Sequence, residues 1–182
     1  MIYFIVITIT LIWMIVIECS SSSSSDYARG FMFNPKGQIL SLEDAKAAVE
    51  SKGGSVAALK CSDGIILTLA RCRARSRLSV DPQRKIFFVD KHIALVAAGY
   101  LSDSSILVEA ARKECINYRA TKGSAIPIEC LSDFLADLMH SATLRIKRAL
   151  FVSILVTGWD DILGYQLYTT DPEGIVLDAS SL

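Results

Sequence analysis

The chain has 182 residues, 52% hydrophobic and 21% charged, which is enough for one domain with a sizeable core and too apolar for a disordered chain. Nineteen Lys and Arg balance nineteen Asp and Glu, so no overall charge favours nucleic acid or acidic lipid. Cys19, Cys61, Cys72, Cys115 and Cys130 form no Cys-x-x-Cys pair. That argues against a disulfide framework or a zinc site and for reduced thiols, four of them packed in the core.

Met1 to Ile17 is uncharged and almost wholly apolar, and Glu18, Cys19 and the run Ser20 to Ser25 follow. A helix over that stretch reaches about 26 Å, the lower edge of what spans a bilayer. A secretory signal normally carries Lys or Arg before its apolar stretch, and none is present. A mis-joined exon or mispredicted start fits better, with a membrane anchor or signal as the alternative. The serine run is a flexible linker in either case. The expected organisation is an appendage over 1–26 and a single domain over 27–182.

Ser41 followed by Leu42-Glu43-Asp44 predicts an N-cap and a helix to about Ser51, ended by Gly53-Gly54. Ser55 to Lys60 and Ile65 to Leu69 read as strands joined by a hairpin turn at Ser62-Asp63-Gly64. Ile86 to Val89 and Ile93 to Ala98 form a second pair, turning at Asp90-Lys91. Two helices follow, one with a stripe of Leu107, Ala111, Cys115 and Tyr118 and a cap at Asp103 or Ser104. The other carries Leu131, Phe134, Leu135 and Leu138 on one face. Strands at Leu150 to Val156, Tyr165 to Thr169 and Ile175 to Leu177 complete the order, the last two separated by a turn at Asp171-Pro172-Glu173-Gly174. Runs of strands and helices rather than strict alternation predict an α+β layered domain, its central helices covering a sheet drawn from both sides of them in sequence.

Tyr27-x-Arg29, Phe33-Asn34-Pro35-Lys36-Gly37, Leu42-Glu43-x-Ala45 and Gly53-Gly54-Ser55 together resemble the N-terminal signature of proteasome alpha subunits. Asp63-Gly64, Arg84-Lys85-Ile86, His92-Ile93, Ala98-Gly99 and Asp103 continue the match. Ala125-Ile126-Pro127, Gly158-Trp159-Asp160 and Gly164-Tyr165-Gln166-Leu167-Tyr168 to Gly174 extend it to about Leu182, in order and almost without gaps. The last of these stretches is most similar to alpha type 4. The resemblance implies an antiparallel β-sandwich flanked by helices, the four-layer αββα arrangement of N-terminal nucleophile hydrolases, here expected to be truncated at the C-terminus with part of a helical layer missing. It also implies seven-membered rings, with other alpha and beta subunits, activators or a regulatory particle as partners, and a cytoplasmic and nuclear location.

Beta-type relatives are hydrolases in which self-cleavage exposes a threonine activated by its own amine. Alignment through Lys60 puts Gly54 at that threonine, Ser55 beside it and Ala70 at the carboxylate position, while Lys85 matches the catalytic lysine. A lysine without nucleophile or carboxylate makes no catalytic set, so the expectation is a non-catalytic structural and gating subunit. The alternatives are a beta-type hydrolase using Ser55 and a degenerate, membrane-tethered paralogue with no proteolytic role.

The resemblance gives Lys85 another part, in a pocket between neighbouring subunits, pairing with the terminal carboxylate of activator tails ending hydrophobic–tyrosine–any residue. Gly99 matches the glycine that lets a backbone approach closely in that pocket. Of the gate cluster, Tyr27, Pro35 and Glu43 are retained, but Ala28 replaces an aspartate and Asp44 a second tyrosine. Losing that acceptor and that phenol removes hydrogen bonds that would lock the cluster.

Arg71, Arg73, Arg75 and Arg77 alternate without interleaved aromatics, which reads as a solvated loop or interface stripe rather than an RNA contact. His92 and His140 lack ligand spacing, and Trp159 and Tyr165 read as packing residues, so neither metal nor cofactor is expected.

Overall fold

The computed structural model describes residues 33–52, 54–70, 85–146 and 148–179. Nearly continuous apolar strands build its main layer. Ile93, Leu95 and Ala97 on one strand and Val152, Ile154 and Val156 on the next point the same way, each 3% exposed or less.

In chain order the elements are α1 (Leu40–Lys52), β1 (Val56–Lys60), β2 (Ile65–Leu69), β3 (Ile86–Phe88), β4 (Ile93–Gly99), α2 (Leu101–Lys122), α3 (Ile128–Ser141), a π-helical turn (Ala142–Ile146), β5 (Val152–Asp160), β6 (Gly164–Thr170) and β7 (Val176–Asp178). The strands make a two-stranded antiparallel sheet, β1-β2, and a five-stranded antiparallel sheet in the order β3-β4-β5-β6-β7. Strands before and after the helix pair thus meet along β4–β5, with Leu95 opposite Val156. The α+β order read from the sequence holds.

Helices α2 and α3 cover one face of the large sheet. Leu107, Val108, Ala111 and Cys115 from α2 and Ile128, Leu131, Leu135 and Met139 from α3 join those strand residues in one core. A smaller cluster of Ala45, Ala149 and Phe151, flanked by Leu42, Ala48 and Tyr100, seats α1 against the β4–β5 end. Lys46 adds an ion pair to Glu173 in the β6–β7 turn at 2.6 Å. The β1–β2 hairpin leans on β4 and β6, but Leu59 and Ile66 on its outer face remain 61% and 56% exposed.

Several local expectations need correcting. Helix α1 starts at Leu40, so Ser41 lies inside it; a bridge between Phe33 and Ile39 closes the preceding loop instead. Asp103 is the third residue of α2 and caps nothing. Strand β5 runs four residues past Val156 to Asp160, because β6 pairs with it through Asp160↔Gly164. Of the described cysteines only Cys115 is buried, while Cys61 and Cys130 are exposed. Tyr27, the arginine run and the apolar segment 1–17 lie outside the described residues. Among the described residues no helix is long and apolar enough to cross a membrane.

Candidate functional site

Three separated residues meet where the two sheets face each other. Gly54 precedes β1, Ala70 follows β2, and the Ala70 N–H donates to the Ser55 carbonyl at 2.8 Å, drawing these ends together. Lys85 stands before β3, and its carbonyl accepts from the Ala97 N–H at 2.9 Å. Its side chain turns toward Gly54: a Cβ there would lie 3.3 Å from Lys85 Nζ and 3.5 Å from the Ala70 carbonyl oxygen. Burial pushes the Lys85 ammonium below the ordinary lysine range.

This is the trio that the alignment set at nucleophile, carboxylate and lysine positions. Only the amine is supplied. Gly54 also has φ +74°, a left-handed conformation that strains any β-branched residue. Ser55 is exposed one residue away, with no carboxylate supplied at Ala70. The hydrolase alternative is not favoured.

Gly99 ends β4 opposite Val152. At φ +134°, a Cβ there would run into the Phe151 carbonyl and sit 2.7 Å from Val152 Cα, so only hydrogen fits. Lys85, just before β3, thus bonds to β4 at Ala97, two residues before Gly99.

Of the gate residues, Pro35 occupies an exposed turn tied by Asn34, whose Oδ1 accepts from the Lys36 and Gln38 N–H groups at 2.9 and 3.0 Å. Gln38 Nε2 then donates to Glu43 Oε1 at 3.3 Å, linking the turn to the start of α1. Asp44, at the second tyrosine's position, is exposed.

One constellation escaped the sequence reading. The Asp103 carboxylate, in a residue only 2% exposed, accepts from Arg148 Nη2 at 2.6 Å and from the Phe151 N–H at 3.0 Å. The Arg148 guanidinium lies 5.3 Å from the Phe151 ring centroid. Elsewhere, His92 Nε2 sits 3.0 Å from the Ile126 carbonyl, and Trp159 pairs across strands with Tyr165. Among the described residues no group of three or more His, Cys, Asp or Glu could hold a metal ion.

Two antiparallel sheets with helices packed on them make an α+β fold of the N-terminal nucleophile hydrolase-like class. A model of the family "Proteasome subunit" matches residues 50–181, and the chain belongs to that family. It is 32% identical to proteasome subunit alpha type-3 of Drosophila melanogaster over 78% of its own length and 56% of the relative's. Proteasome subunit alpha type-4 of the same organism is 35% identical over 81% and 56%. Proteasome subunit alpha of Methanococcus maripaludis is 31% identical over 85% and 60%. The alpha-type resemblance is thereby supported, while types 3 and 4 match too evenly to separate. The chain spans between 56% and 60% of these relatives' lengths.

Proposed function

We propose that this chain is a non-catalytic, alpha-type structural and gating subunit of a proteasome core particle, working in ubiquitin-dependent protein breakdown. The observation that carries the reading is Lys85 beside Gly54 and Ala70, an amine kept where nucleophile and carboxylate are gone. The names of its relatives point the same way. Its partners are other alpha and beta subunits, its compartments the cytoplasm and nucleus, and its working domain 27–182. Tyr27, Pro35 and Glu43 are its share of the gate.

On this reading Lys85 and Gly99 line a pocket for the C-terminal tails of activators. A compact ammonium meets the tail carboxylate at a partly desolvated site, beside the strand end at Gly99 whose Cβ space the Phe151 carbonyl fills. The test is the full chain, alone and co-expressed with alpha and beta subunits, titrated at low salt with a peptide ending hydrophobic–tyrosine–any residue. Lys85→Ala weakens binding about tenfold or more, the loss expected of one charge-assisted hydrogen bond. Because burial lowers the Lys85 pKa, affinity falls as pH rises through a value below the ordinary 10.5. Equal affinity of wild type and Lys85→Ala returns Lys85 to the ordinary surface lysines. Migration only as a monomer beside its co-expressed partners rejects the subunit assignment.

A further inference from the structure

Asp103 is oddly spent. An acid in the first turn of a helix ordinarily serves that helix's free N–H groups, yet this carboxylate reaches 48 residues along the chain to the Phe151 N–H. Its other oxygen holds Arg148 at 2.6 Å. The Phe151 carbonyl accepts from the Tyr100 N–H at 2.9 Å, so residues 100 and 103 hold both backbone polar groups of Phe151. Phe151 is also the residue whose carbonyl closes over Gly99, and its ring lies 5.7 Å from that of Tyr100. Where Phe151 sits therefore decides where the Gly99 backbone sits, with no side chain at Gly99 to buffer the contact.

We infer that Asp103, braced by Arg148, is a positioning residue for Gly99, fixing the strand end beside which a peptide's C-terminal residue lies while its carboxylate meets Lys85. The inference rests on the tail-pocket reading of Lys85 and Gly99. Asp103 touches no ligand; it acts through Phe151. The buried, charge-bearing acceptor gives this arrangement its stiffness, because an amide in its place holds Arg148 and the Phe151 N–H less tightly.

The experiment compares two tail peptides on the full chain co-expressed with alpha and beta subunits, one with a free carboxylate and one amidated, and reads the ratio of their affinities. A variant that merely lowers the folded fraction leaves this ratio unchanged, since both peptides lose alike. Asp103→Asn is expected to cut the wild-type ratio about tenfold, the loss of roughly one charge-assisted contact. Arg148→Ala, altered at the more exposed end of the pair, keeps the question answerable if Asp103→Asn does not fold. It lowers the ratio less, and Arg148→Lys recovers part of it. Folded Asp103→Asn or Arg148→Ala with the wild-type ratio overturns the inference. A wild type that cannot tell acid from amide instead overturns the pocket reading, and the positioning role with it.

Discussion

The strands of the five-stranded sheet are no more apolar than those of the β1–β2 hairpin, yet the two end in opposite conditions. Strand β4 has four buried residues of seven, whereas none of the ten in β1 and β2 is buried. Two helices close the first, and the second leans on its neighbour along one side only. Apolarity in a strand declares that a face must be covered; it does not name the cover. Lys85 lies where the two halves meet, before β3 of the large sheet, and it faces Gly54 at the foot of the hairpin, while its proposed pocket partner Gly99 ends β4.

The contrast can be broken most sharply from within the core. Leu131, fully buried on α3, should cost about 2–5 kcal/mol of unfolding free energy when changed to Ala, read by urea denaturation. A loss under about 1 kcal/mol would mean that the large half is far less tightly packed than its burial suggests. At the seam, Gly99→Ala should cost about 1–3 kcal/mol, since its Cβ must displace the Phe151 carbonyl. Full stability in that variant would show that the strand end yields.

A pH series sharpens the same comparison. Burial raises the Cys115 thiol from 9.0 to about 11, ahead of a smaller effect from Asp90. The folded pKa lies above the unfolded one, so this stabilisation is complete below pH 9 and is lost as pH climbs through about 11. The denaturation midpoint should therefore fall over that window, and less so in Cys115→Ala. Cys61 and Cys130, being exposed, should react with thiol reagents in the native state while Cys115 does not. The smallest effect belongs to the hairpin: Leu59→Ala should change stability by no more than about 0.5 kcal/mol. Its amides should exchange faster than those of β4 and β5.

Reading from sequence succeeded where the cause was local. Ile65 to Leu69 is a short apolar run beside its own turn, and its strand falls where expected. It stopped short at Val156, whereas pairing of residues 157–160 with β6, and of Thr157 and Gly158 with β4, keeps the strand going. Asp103 looked like a cap because a short acid at a helix start usually is one; its partners, Arg148 and Phe151, lie more than forty residues away. At the site, Gly54, Ala70 and Lys85 could be set together only by alignment to a family, since no spacing joins them. Gly99 likewise needed the resemblance, and the contact that demands a glycine there became visible only with Phe151 in place.

The hairpin also has a consequence for handling the protein. Within the described residues β1 and β2 pair only with each other, so each presents one unpaired edge of N–H and C=O groups. Across their ten residues stands a single charge, Lys60, and no proline. Natural sheets blunt such edges with charge, proline or a covering segment. An isolated preparation of this chain is thus prone to grow edge to edge as concentration rises, and a lysine placed at Thr68 on the outer face is the simplest way to keep it dispersed.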